Sequence, residues 1–310
     1  MNTVKAHSAK TAGMAVLLGL LTPLPAAADP FFFSTGNPDG RIATATRPDT
    51  AVSPAPSNEI ESADDFVLTS PTSIQSATFT GLLAGGATTT NIGQVVVQIY
   101  EVFPNLSDVG RTSGPPTFST PNVPTRVNSP SDVELEDRNT ASGNLTFTTM
   151  DKGLFTATNS VLPGGIPVPF VAPTGGTGPV TGEEIEFDVT FTTPFSLQPD
   201  HFFFVPQVET TTGEFLWLSA PRPIVPPGTP FPAGFTDLQS WTRDAMLEPD
   251  WLRVGTDIVG GTTFNAAFSL TGVTEAVPEP ASISLFGAAL TGMGVFGWRR
   301  RRRDRSLALA

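Results

Sequence analysis

Through the middle of the chain, apolar residues alternate with polar ones, and this period of two predicts β-strands. The clearest stretch is 184–192. Ile185, Phe187, Val189 and Phe191 point to a core there, while Glu184, Glu186 and Asp188 point to water. Phe264, Ala266, Phe268 and Leu270 repeat the pattern. Residues 94–102 place Val95, Val97 and Ile99 on one face and Val96 and Tyr100 on the other, the mark of a central strand covered on both sides. Further strands are expected over 65–69, 73–83, 144–149, 202–208, 214–219 and 252–259. Short strands between turn-rich segments predict an all-β fold, an antiparallel β-sandwich or jelly-roll-like domain of about 250 residues.

One helix is expected, over 236–247. Thr236 and Gln239 have capping-box spacing, Leu238, Trp241, Thr242 and Ala245 share a helical face, and Pro249 closes the segment. Long Pro- and Gly-rich connections run over 30–57, 104–142, 162–182 and 219–234, where proline keeps the chain out of sheet interiors. No fixed period recurs, which excludes a solenoid or propeller. No linker divides the middle into two domains.

The two ends have a different character. Lys5 and Lys10, an apolar run over 14–21, and the small residues Ala26-Ala27-Ala28 read as a signal peptide over 1–28, with cleavage specified by Ala26 and Ala28. At the other end Pro278-Glu279-Pro280 precedes an uncharged stretch, 281–298, and then Trp298 and the basic run Arg299, Arg300, Arg301, Arg302 and Arg303. As a transmembrane helix, that stretch would rise ~27 Å, enough to cross the hydrocarbon core. Trp298 would sit at the interface, and the arginines would act as the stop-transfer signal on the cytoplasmic side. The expected order is a signal peptide (1–28), an extracytoplasmic domain (29–276), a C-terminal signal (277–305) and a short cytoplasmic tail (306–310).

This tripartite tail resembles the PEP-CTERM sorting domain of Gram-negative bacteria, on Pro278, Glu279 and Pro280, the Gly-bearing span (Gly287, Gly292, Gly294, Gly297) and the arginines. The resemblance implies that export machinery carries the chain out as a single-pass membrane precursor. A membrane protease-transpeptidase, exosortase, would then cut near the Pro-Glu-Pro and release it to the cell surface or extracellular matrix, beside exopolysaccharide. The seven residues after the basic run depart from tails that stop soon after the cluster. The same tail occurs on proteins described as ice-binding, so an ice-binding label is carried as a minor alternative for the C-terminal segment alone. Thr44-Ala45-Thr46 and Thr88-Thr89-Thr90 build no repeat that would support it. The middle resembles uncharacterised exported proteins that share a strand ending Ile99-Tyr100-Glu101-Val102-Phe103-Pro104, which implies no activity.

Composition narrows the chemistry. The chain of 310 residues has no cysteine, which excludes a disulfide scaffold, thiol catalysis and thiolate metal sites. Residues 29–280 hold 9 Lys/Arg against 28 Asp/Glu, a net charge of −19. That argues against nucleic acid and anionic lipid as partners and leaves neutral glycans or divalent cations open.

His201 is the one histidine of this part and lies near no nucleophile elbow, so it reads as a polar residue starting a strand. Glu184, Glu186 and Asp188, about 6.8 Å apart along one strand face, read first as charges guarding an edge strand. As alternatives they are weak metal ligands for Ca²⁺ or catalytic carboxylates. The clusters Glu59/Glu61/Asp64/Asp65 and Asp132/Glu134/Glu136/Asp137 read as solvated acidic surface. Trp241 and Trp251 are a possible glycan platform, and Trp217 reads as core.

No catalytic constellation emerges. The expected role is non-catalytic, structural or glycan-binding, with a carboxylate-dependent polysaccharide hydrolase or lyase as the alternative. A hydrolase would need two carboxylates facing each other across an aromatic-lined cleft, whereas a matrix protein would spread its acids over convex surface.

Overall fold

The computed structural model describes residues 28–49, 59–114, 116–119, 123–167 and 173–275. Fifteen strands are present among them: β1 (Pro30–Ser34), β2 (Ile42–Ala45), β3 (Ile60–Val67), β4 (Thr72–Ala84), β5 (Ile92–Glu101), β6 (Glu136–Asn139), β7 (Leu145–Ala157), β8 (Asn159–Val161), β9 (Val180–Leu197), β10 (His201–Thr210), β11 (Glu214–Ala220), β12 (Trp241–Asp244), β13 (Leu252–Arg253), β14 (Asn265–Ala266) and β15 (Phe268–Thr274).

They form two sheets. In the first, the order is β1-β15-β4-β11-β2-β8; β9 pairs with the other edge of β4, β7 lies beyond it, and β14 pairs with β11. The second runs β13-β12-β3-β10-β5-β6. All pairings are antiparallel except β2 with β8. The antiparallel sandwich expected from the alternation is what forms.

Phenylalanines join the sheets, because inward residues of facing strands must fill the space between them. Phe204 of β10 stacks on Phe268 of β15 at 4.9 Å and lies 6.4 Å from Phe79 of β4, which within its own sheet stacks on Phe187 of β9 at 4.8 Å. Trp217 is core as expected; its indole N–H donates to the Ala267 carbonyl at 2.9 Å. At Gly81 a Cβ would stand 2.4 Å from the Phe215 ring, so β4 and β11 approach closely only because that side chain is missing.

The second sheet is buried on both faces. Ile60, Asp64 and Phe66 point toward the core, while Glu61, Ala63 and Asp65 point outward under a layer of connecting segments. That layer is the long connection after β5 together with the chain around β12 and β13. Trp251 lies in it, and its indole N–H donates to the Ser131 carbonyl at 3.1 Å.

The expected helix over 236–247 does not form. The edge of β3 takes up Trp241–Asp244 as β12, pairing Trp241 with Ala63 and Asp244 with Ile60. Trp241 and Arg243 point outward and Thr242 inward, bonding to Ser62 at 3.1 Å. The period-two alternation wins over the helical spacing because a pairing edge satisfies backbone groups that a short isolated helix leaves open. Asp244 Oδ1 then accepts the amides of Met246 and Leu247 and closes a turn.

The acids of β3 do not form solvated surface. Glu61, Asp64 and Asp65 are buried, as is Asp132 of the second acidic cluster. Glu61 pairs with the buried guanidinium of Arg243 and accepts the Tyr100 hydroxyl proton, while Arg243 also donates to Tyr100 Oη at 3.0 Å. Trp251 lies over Arg243, 4.3 Å from guanidinium carbon to ring centroid. Removing one partner strands the other charge without water, a loss of about 3–5 kcal/mol. Arg243→Met is therefore expected to lower unfolding stability by about that much in urea titrations. Arg243→Met with Glu61→Leu should lose less than the sum of the two single changes. A single-variant loss under about 1 kcal/mol would show the pair to be solvated.

Candidate functional site

A cleft of about 530 Å³ lies on the outer face of the first sheet, beside the part of that face where Leu82, Leu216 and Leu218 are buried in a second apolar cluster. Its floor is β9. Ile185 and Phe187 point into the core, so the pleat lifts Glu184 and Glu186 to the opposite face. Thr80 of β4 stands beside Glu186, and Thr78, opposite Asp188, is joined oxygen to oxygen to Ser269 of β15 at 2.6 Å. One wall is β1, with Phe32 57% exposed, and another is β7, with Phe155 and Lys152.

Lys152 arrives by a β-bulge. The register of β7 against β9 slips between Asp151 and Gly153, and Gly153 takes φ 94°. The extra residue is Lys152, whose ammonium lies 3.2 Å from Glu186. Among the described residues, Glu184 has no such partner within ion-pair distance. Burial holds its carboxyl above the usual range; Lys152 opposes that shift and Glu186 adds to it.

Two expectations are corrected here. β9 is no edge strand, since β4 covers one side and the thirteen-residue β7 the other, so Glu184, Glu186 and Asp188 guard no edge. Nor are all three spread over convex surface: Glu184 and Glu186 line the cleft, and Asp188 stands exposed outside its lining. Among the described residues, no group of three or more His, Asp or Glu side chains is placed to hold a metal ion. The two cleft carboxylates rise side by side from one strand. They do not oppose each other across the cleft, as the two carboxylates flanking a scissile bond must.

Trp241 and Trp251 are no glycan platform, being 1% and 2% exposed beneath the segments that cover the second sheet. The aromatic surface of the cleft is instead Phe32 and Phe155. Sequence reasoning missed both, because β1 lies in a stretch read as a loop and Phe155 follows the bulge. The triple phenylalanine at 31–33 was the available signal: only alternate members of such a run can face one core.

His201 begins β10, as read, but it also pairs with a buried acid. Its Nε2 lies 2.6 Å from Asp65 Oδ2, which also accepts the Leu238 amide at 3.1 Å. Burial pushes Asp65 up to about 6 against the opposing His201 contact, and it pushes Asp64 well above the usual carboxylate range. Glu59, bonded to the Gln207 amide at 2.8 Å, rises to about 7, first through burial and then through Glu61.

Raised carboxyls set a pH dependence with a definite sign. Between pH 4.5 and about 7, Glu59 is ionised in the unfolded chain but still protonated in the fold, so stability falls as pH rises through that window. Glu59→Gln, which can keep the Gln207 contact, is expected to flatten that part of the slope in denaturation midpoints. An unchanged slope would refute the burial of Glu59.

Residues 276–302 match the family model for the PEP-CTERM protein-sorting motif. The match takes in Pro278, Glu279, Pro280, Trp298 and the arginines through Arg302, and it marks the chain as an exported protein sorted by exosortase to the surface or the extracellular space. Neither curated relatives nor solved structures match the chain. No helix among the described residues is long and apolar enough to cross a membrane. The expected span over 281–298 and the signal peptide with Ala26 and Ala28 lie outside the described residues.

Proposed function

We propose that the chain is a surface or matrix protein whose β-sandwich binds glycan without cleaving it. The observation that carries this reading is the composition of the cleft. Two phenylalanine rings, two carboxylates, an ammonium and a hydroxyl pair line one cleft on a rigid sheet. Pyranose rings bury a face on an aromatic side chain while their hydroxyls bond to carboxylates and hydroxyls, and strands hold such groups in place. Binding is favoured over hydrolysis because Glu184 and Glu186 share one strand and Lys152 neutralises one of them. A cleaving pair would need an acid on the opposite wall.

Sorting supports the same role. A signal peptide over 1–28, passage as a membrane precursor and a cut near Pro278-Glu279-Pro280 would leave the sandwich in the polysaccharide matrix. The net charge of −19 over 29–280 and the absence of cysteine suit a soluble domain outside the cell.

Two measurements test the reading. Intact mass of the protein from the host envelope and medium is expected to show both termini lost, with the C-terminal cut absent in an exosortase-deleted strain. A wild-type chain still ending at Ala310 would make the anchor permanent. Matrix polysaccharide from the host is expected to bind the wild type, and Phe32→Ala to weaken binding roughly tenfold. Release of reducing ends by the wild type that Glu184→Gln or Glu186→Gln abolishes would replace binding by hydrolysis.

A further inference from the structure

The charge of the cleft separates one class of glycan from the others. Two carboxylates share one ammonium on its floor: Lys152 lies against Glu186 and acts on Glu184 only from beyond ion-pair distance, so the floor keeps one net negative charge. The rest of the domain supplies no second cation. Each of the nine Lys and Arg side chains between 29 and 275 is already within 4 Å of a carboxylate. A ligand that covers the floor therefore takes two carboxylates out of water with a single ammonium between them, which is costly unless the ligand brings a second cation.

We propose that the cleft, taken as the glycan site, selects a hexosamine polymer bearing free, protonated amino groups, with one sugar's ammonium seated on Glu184 and its ring against Phe155, the diagonal neighbour of Glu184 across the β7–β9 pair, while Phe32, three strands away, meets another unit of the polymer. An ammonium there restores neutrality over the two glutamates and donates charge-assisted hydrogen bonds to Glu184, where an acetamido or hydroxyl group leaves the charge uncompensated. The Phe155 ring, diagonal to Glu184 across the β7–β9 pair, adds to the attraction, since a cation near an aromatic face is favoured. The domain's net charge of −19 draws a polycation toward it and repels uronic-acid polymers. Burial already holds Glu184 above the usual carboxylate range, and an ammonium at hydrogen-bond distance would return it toward that range.

The test is titration calorimetry of the secreted chain with glucosamine oligomers, their N-acetylated counterparts and a neutral glucan oligomer. Wild type, Glu184→Gln and Asp188→Asn are compared. Asp188 is an exposed acid on the same strand, outside the cleft lining. The amino oligomers are expected to bind roughly tenfold tighter than the acetylated ones. Glu184→Gln should bring them down to the level of the acetylated form, and Asp188→Asn should keep the preference. Equal affinity for amino and acetylated oligomers would overturn this inference and leave glycan binding standing. A preference that survives in Glu184→Gln, or that falls equally in Asp188→Asn, would assign it to diffuse surface charge and overturn the seat at Glu184. Failure of every oligomer to bind would overturn the glycan reading itself.

Discussion

Glu61 and Arg243 meet between β3 and β12 in a layer almost without water, and the covering of the second sheet is organised around that pair. A buried carboxylate tolerates its position only when donors surround it. Tyr100 and Arg243 both serve Glu61, and Arg243 in turn donates to the carbonyls of Asp132 and Pro249. Asp132 holds Arg126 at 2.6 Å and Arg111 at 2.8 Å, and Arg111 reaches Asp250 at 2.9 Å. The long connection after β5 and the turn after β12 are thus tied to the sheet by charge as much as by apolar contact. Removing Arg243 takes away the group that both segments share.

That covering has a consequence on the opposite side of the sandwich. With one outer face closed, the described cleft lies on the other, over the part of the first sheet formed by β1, β15, β4, β9 and β7. It carries hydroxyls and carboxylates because β9 and β4 alternate strictly there. Burial of phenylalanine on the inner face and exposure of Glu184 and Glu186 on the outer are one fact seen from two sides. A one-residue slip in β9 would lose both the core and the cleft floor.

The sandwich and its inward residues were legible in the sequence because alternation reports which residues share a face. It does not report what covers that face. Trp241 and Trp251 therefore read as exposed rings, when a segment more than a hundred residues earlier, around Ser131, lies over Trp251. The β3 acids read as surface for the same reason: local spacing cannot reveal that Arg243 arrives on a neighbouring strand. Glu184 and Glu186 were recognisable as a pair, but their cleft was not. Its walls come from β1 and β7, and the bulge that aims Lys152 depends on pairing with β9. The β12 segment shows the opposite failure, where a helical spacing of four residues and a capping pair coincided by chance with a strand.

The two ends of the sandwich lie together at one edge. Asp29 donates its amide to Thr274 Oγ1 at 3.1 Å and accepts the Thr274 amide at 2.8 Å, so both ends leave at the same edge, where β1 pairs with β15. β15 stops at Thr274, before Pro278, and a cut near the Pro-Glu-Pro therefore severs no pairing in the sheet. The same two strands supply Phe32 and Ser269 to the cleft. Because their five-residue register is complete within 30–34 and 269–273, the cleft wall is held by pairings within the sandwich that precede the sorting motif at 276–302.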